Sequence, residues 1–184
     1  MIITLGGTPG SGKSSIGGIL AKNLGYKYYS AGDVWRKYAA EQGMTLEELH
    51  KKAELDPSTD KLVDDYMKAL GEKEDDFIID ARLGYHFIPH SVKVFVDADV
   101  DVRAERVFRL ERSGERFAKV ADAKKSIQMR MKMDQKRYEK IYGIDPYRFE
   151  NYDFIVNTTN KTVEESAGEV YRFAMFKSNP PRRK

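Results

Sequence analysis

The ten residues from Gly6 to Ser15, GGTPGSGKSS, carry the densest chemistry in the chain. Gly7, Thr8, Pro9, Gly10, Ser11, Gly12, Lys13 and Ser14 in that order fit G-x-x-x-x-G-K-[ST], a loop that cages phosphate in main-chain N–H groups. Such a cage needs a backbone free of Cβ crowding, which Gly7, Gly10 and Gly12 supply. A helix opening near Gly12 would aim unpaired N–H groups and a positive dipole end at the anion, with Ser15 in its first turn. Lys13 would set a point charge beside the β- and γ-phosphates of a nucleotide, and Ser14 would offer its hydroxyl to Mg2+.

A second set of charged residues lies where strands end or where an apolar helical stripe is interrupted. Asp80 and Arg82 follow a short apolar run, at the strand end where open α/β sheets bind ligands. A substrate or Mg2+ contact is one reading of the pair; a helix N-cap beside a surface arginine is the other. Arg130, Asp134 and Arg137 stand at i, i+4 and i+7 and share a helix face, with Asp134 inside the stripe of Ile127, Met131, Tyr138 and Ile141. They suit a phosphate and base contact set, and equally an intrahelical salt-bridge ladder. Arg36, one turn beyond Ser30 and Asp33, has the same two readings. Arg103, Arg106, Arg109, Arg112 and Arg116 cluster around a charged stretch. Phosphoryl transfer needs cations of this kind, and a single arginine can supply about 10³–10⁵ in rate. His50, His86 and His90 have no spacing that suggests a metal site or a triad.

The elements that would hold these residues alternate strand and helix, the sign of a parallel α/β sheet. Strands are expected at 2–5, 26–29, 77–80, 92–96 and 154–156. Helices are expected at 13–23, from Ser30–Asp33 to near Gly43, from Thr45 (with Glu48 completing a capping box), from Asp56-Pro57 onward, and at 99–109, 120–141 and 163–176. One P-loop domain over 1–184 follows: a core of 1–31, 73–110 and 120–178, a helical insert at 32–72, a short lid at 111–119 and a basic tail at 179–184.

Composition narrows the class. The 184 residues are 33% charged and 41% hydrophobic, with a net charge of +3 and no cysteine. Disulfides and cysteine-ligated zinc are excluded. No apolar run approaches the ~18–20 residues of a membrane span, and the first residues do not read as a signal peptide. The expectation is a cytoplasmic protein without membrane or nucleic-acid partners, since its basic residues are mixed with acids rather than gathered on one face.

Taken together, these segments resemble the nucleoside monophosphate kinases, and most closely the archaeal-type branch of the cytidylate kinases. The resemblance runs from Ile2 to about Glu165. It is carried by the P-loop, by SAGDVWR (30–36) with GMTLEE (43–48), by IDARL (79–83), and by RYEKIYGID (137–145) with YDFIVNT (152–158). It implies a five-stranded parallel sheet flanked by helices, an acceptor-binding insert, a short lid, ATP and Mg2+ as cofactors, and a monomer as the default state. It implies that Ser30, Asp33 and Arg36 line the monophosphate site, that Asp80 and Arg82 touch the acceptor nucleotide, with Asp80 also near the metal, and that Arg130, Asp134 and Arg137 hold the acceptor. Arg106 would serve the donor side of the lid, and Asn157 and Thr158 would brush the donor adenine.

Three positions depart from the pattern. Ala81 stands where a glycine is usual, Leu110 stands where a second lid arginine is usual, with Arg109 or Arg112 as substitutes, and the stretch 84–87 differs. The reaction implied is ATP-dependent phosphorylation of CMP or dCMP, with Lys13, Arg106, Arg112 and Arg130 as the catalytic cations. Alternatives are the same fold acting on AMP, UMP, dTMP or a small metabolite, and a nucleotide-dependent switch. The switch class needs a guanine-reading Asn-Lys-x-Asp, which Asn160-Lys-Thr-Val163 lacks.

Overall fold

A computed structural model describes residues 1–56, 58–110 and 117–178. Five strands form one parallel sheet in the order β2-β3-β1-β4-β5. They are β1 (Ile2–Gly7), β2 (Lys27–Ser30), β3 (Phe77–Asp80), β4 (Val92–Asp97) and β5 (Phe154–Asn157). The helices are α1 (Lys13–Leu24), α2 (Ala31–Glu41), α3 (Leu46–Leu55), α4 (Ser58–Lys73), α5 (Gly84–Phe87), α6 (Val100–Arg109), α7 (Val120–Tyr142) and α8 (Val163–Ser178). The four-residue α5 and a 3-10 turn at Phe149–Asn151 have no periodicity to announce them and were not expected from the sequence.

Strand pleating sorts the core into two layers, since successive side chains point to opposite faces. Ile78 packs with Ile3, Leu5, Ile16, Leu20, Val94 and Val170 beneath α1 and α8. Phe77 and Ile79 face the other way, onto Trp35, Leu49, Met67 and Leu70 of the helices that leave the sheet between β2 and β3, and onto Ile88 at the end of α5. Both faces of every inner strand are covered, which is why β1, β3 and β4 read as nearly continuous apolar runs.

Caps fix the element ends. Gly25 and Gly143 close α1 and α7 in the left-handed conformation. Ser30 accepts from the Asp33 N–H at the start of α2, and Thr45 with Glu48 forms the expected capping box at α3. β1 runs two residues beyond the expected Leu5, because Gly6 and Gly7 pair with Phe95 and Val96 of β4 before the chain turns. Among the described residues no helix is long and apolar enough to cross a membrane.

Candidate active site

β1 lies at the centre of the sheet, and the carboxyl ends of β1, β3 and β4 converge on the loop that follows it. That loop is clamped by backbone contact. A Cβ on Gly7, whose φ is +128°, would lie 2.0 Å from the Val96 carbonyl oxygen, and one on Gly10 would lie 2.8 Å from the Arg103 carbonyl oxygen. No other residue type fits either position without moving β4 or α6. The Thr8 hydroxyl donates to Asp97 Oδ1 at 2.7 Å, and its N–H donates to the Val96 carbonyl at 3.2 Å. The Ser11 hydroxyl donates to the Thr8 carbonyl at 2.8 Å. Lys13 Nζ folds back over the loop, donating to the carbonyls of Thr8 at 2.8 Å and Gly7 at 3.1 Å. The Ser14 hydroxyl donates to Asp80 Oδ2 at 2.8 Å.

A cavity of about 470 Å3 opens from this loop and runs between the sheet and the helices. Its lining includes Pro9 to Ser15, Arg106, Arg109 and Thr158, together with Ser30, Trp35, Arg36, Asp64, Met67 and Arg82. Arg130 and Tyr138 of α7 line it as well. The structure thus brings the loop residues 9–15 together with Ser30, Arg36, Asp80, Arg82, Arg106 and Arg130. Gly7 and Thr8 lie behind the loop. Arg112 and Arg116 fall outside the described residues.

Several candidate residues sit elsewhere than a direct contact role would place them. The Asp33 carboxylate is exposed and pairs with Arg36 along α2. Asp134 and Arg137 are buried behind the cavity wall, 4% and 7% exposed. Asp134 receives Arg82 Nε at 2.7 Å, the Tyr147 hydroxyl at 3.0 Å and Arg137 at 3.3 Å. Arg137 also donates to the Tyr138 hydroxyl at 3.0 Å and lies over the Trp35 ring. Burial on its own would weaken the Arg82 cation. The Asp134 carboxylate, Tyr147 and Tyr138 together outweigh that, and its pKa is raised. Burial, the Asp134 carboxylate and its hydrogen bond together raise the Tyr147 phenol against the opposing pull of Arg82. The face read from the i, i+4, i+7 spacing is therefore split: Arg130 lines the cavity, while Asp134 braces Arg82, which also lines it, and Arg137 is bonded to Asp134.

Asn157 caps a turn, its side-chain oxygen accepting from the Thr159 N–H at 2.9 Å, and does not line the cavity. Thr158 does. Its hydroxyl donates to the Ser11 carbonyl at 2.9 Å, and Arg106 donates to its hydroxyl and carbonyl oxygens, both at 2.8 Å. Arg103 is buried, donating from Nε to the Ala98 carbonyl at 2.7 Å, and so serves packing. Ala81 causes no strain: it lies in the core, its φ is negative, and its N–H donates to the Leu5 carbonyl at 3.1 Å.

Sequence reading gave no site role to Asp64, Asp97, Tyr138 or Tyr147. Asp97 had a signal, an acid closing a buried strand like Asp80. The others depend on which helices meet, and spacing along one segment does not report that.

The donor atoms at the loop suit a hard dication. Among the described residues no group of three or more acids or histidines is placed to hold a metal alone. A serine hydroxyl and one carboxylate within hydrogen-bond distance are instead the sparse oxygen set that Mg2+ uses when phosphates and water complete its shell.

Known proteins share this chain's sequence over most of its length. The model of the Cytidylate kinase-like family matches residues 2–160. A cytidylate kinase of Archaeoglobus fulgidus is 38% identical over 159 residues, covering 86% of this chain and 86% of that protein. A cytidylate kinase of Methanothermobacter thermautotrophicus is 34% identical over 166 residues, covering 90% of this chain and 100% of that protein. Among solved structures, shikimate kinase from Aquifex aeolicus matches with a TM-score of 0.61 at 22% identity, over 97% of this chain and 99% of that one. At that identity the likeness is one of fold.

Proposed function

This chain belongs to the cytidylate kinase-like family, and on that premise we propose that it transfers the γ-phosphoryl group of ATP to the phosphate of CMP or dCMP. The observation that carries the proposal is the single cavity joining the P-loop to a wall with Arg36, Arg82 and Arg130. Two anionic groups can meet in it, one held by main-chain N–H groups and the other by guanidiniums.

An oxygen of the acceptor phosphate attacks the γ-phosphorus, the bond to the β–γ bridging oxygen breaks, and ADP leaves. The attacking phosphate is already anionic at neutral pH, so no strong base is required. Catalysis is positioning plus neutralisation of charge. The loop amides from Gly10 to Ser14 hold the donor phosphates. Lys13 exchanges the Gly7 and Thr8 carbonyls for phosphate oxygens, a short movement for a flexible side chain. Ser14 and Asp80 would hold Mg2+, which when bound supplies positive charge at the donor phosphates. Arg106 and Thr158 form the wall beyond the donor phosphates and tie it to the loop through Ser11. Arg36, Arg82 and Arg130 receive the acceptor phosphate, with Arg82 held in place by Asp134. Arg109 and Arg112 are the candidates for a further cation at the lid.

The test is a panel of acceptors with ATP and Mg2+: CMP, dCMP, UMP, AMP and dTMP, reading ADP release. CMP or dCMP should give the highest kcat/KM. Equal or better turnover of AMP or dTMP would overturn the assignment of the acceptor.

A further inference from the structure

Among the described residues two carboxylates line the cavity. Asp80 belongs to its phosphate end, beside Ser14. Asp64 lies on α4, 8% exposed. It shares a helix face with Met67 at i+3, and the lining of the same cavity also includes Trp35, Leu83 and Tyr138, all of them buried. The Tyr142 hydroxyl, from the end of α7, donates to Asp64 Oδ2.

A carboxylate this deeply buried costs free energy unless it is hydrogen-bonded. The bond from Tyr142 fixes its orientation and marks it as an acceptor. Asp134 does not compete for the role, because it lies behind the wall with Arg82, Tyr147 and Arg137 directed at its two oxygens.

An ionised carboxylate accepts hydrogen bonds and donates none. Cytosine presents an amino donor at C4, where uracil presents a carbonyl oxygen. A ring lying among Trp35, Met67, Leu83 and Tyr138 would bring that edge to Asp64. We infer that Asp64 is the specificity-determining residue for the acceptor base, receiving the 4-amino group of cytosine and repelling the 4-oxygen of uracil. This rests on the cytidine-acceptor reading given above. Its energetic logic is that a polar group built to pair with a substrate N–H discriminates strongly against an analogue lacking it.

The experiment measures kcat/KM for CMP and UMP in the wild type, Asp64→Asn and Tyr142→Phe. Asparagine keeps the shape and can donate to a carbonyl. Asp64→Asn should lower the CMP to UMP ratio by at least about 30-fold, most of it through loss of CMP turnover. Tyr142→Phe removes the brace and keeps the carboxylate, so its ratio should stay within about threefold of wild type while KM for both acceptors rises. A folded Asp64→Asn enzyme with an unchanged ratio, or one in which both acceptors fall equally, overturns the inference and leaves the kinase assignment standing. A wild type that phosphorylates neither pyrimidine nucleotide overturns the kinase assignment itself. Should Asp64→Asn fail to fold, the 2-pyrimidinone analogue of CMP, which lacks the 4-amino group, replaces it. The wild type should use that analogue at least about 30-fold less well, and equal use would refute the role.

Discussion

Ser14 and Asp80 are 66 residues apart in sequence, and the hydroxyl of one donates to the carboxylate of the other at 2.8 Å. The contact exists because β3 lies beside β1 with Asp80 opposite Leu5, so that β3 ends level with the start of the phosphate loop. One residue comes from a motif and the other from the neighbouring strand, and together they present two hard oxygens at one point.

Asp80→Asn keeps the hydrogen-bonding shape and removes the charge. At sub-saturating Mg2+ the expected loss in kcat/KM is about 10²-fold, the size typical of removing one electrostatic contact in a polar site. Raising Mg2+ should recover part of it, because weakened metal binding yields to mass action. Initial rates over a Mg2+ titration check this; a variant with the wild-type Mg2+ dependence would separate Asp80 from the metal.

Lys13→Ala should collapse turnover by about 10²–10³-fold or more. The fold should survive, since the Lys13 bonds to the Gly7 and Thr8 carbonyls lie within the loop itself. The measurement pairs ADP release with a circular-dichroism melt. Near-normal turnover would remove the phosphate role.

Arg36→Ala should act on the acceptor. Arg36 lines the same cavity as the P-loop and stands on the helix capped by Ser30. Loss of one charge-assisted hydrogen bond predicts a rise of about 10-fold or more in acceptor KM with the ATP KM little changed. A change confined to the ATP KM would mean that Arg36 serves the donor.

The order of the elements and the phosphate loop were legible in the sequence because both are local. Gly7 to Ser14 is contiguous, and strand and helix periods repeat within each segment. The acceptor wall is not local. Asp64 on α4 and Tyr142 on α7 meet only after the helices between β2 and β3 fold against α7, and no spacing within either helix announces it. The Arg130, Asp134, Arg137 face was visible as a face, but the spacing could not tell which members look into the cavity. That depended on Arg82 arriving from the end of β3 and Tyr147 from the loop after α7. Thr158 was placed by the turn after β5, where Asn157 is spent on capping and its neighbour faces the site.

His86 gives a prediction on pH. It is an exposed residue of α5 beside Phe87 and Tyr142, and partial desolvation by these neighbours, with the Lys68 ammonium nearby, lowers its pKa below 6.5. The unfolded chain therefore binds the proton more readily than the folded one. The stability this contributes is present above about pH 6.5 and is lost as pH falls through the depressed folded value. Thermal melts at pH 7.5 and 5.5 should show a fall in Tm that His86→Gln reduces. An equal fall in the variant would assign the effect to other groups.

The buried Arg82–Asp134–Arg137 group gives the sharpest prediction on stability. Asp134 is 4% exposed and is the carboxylate to which both guanidiniums are bonded, with Tyr147 adding a third donor. Asp134→Ala leaves two cations and a phenol in a low-dielectric site without that acceptor. Removing one partner of a buried charge network costs about 3–5 kcal/mol. Denaturant unfolding should show this as a lower midpoint with an unchanged slope. Acceptor KM should rise as well, because Arg82 loses its brace. Arg82→Leu separates the two effects: it removes one of the cations that Asp134 neutralises, so the double variant Arg82→Leu/Asp134→Ala should be less destabilised than the sum of the singles. Additive losses would show that Asp134 acts through packing rather than through the charge of Arg82.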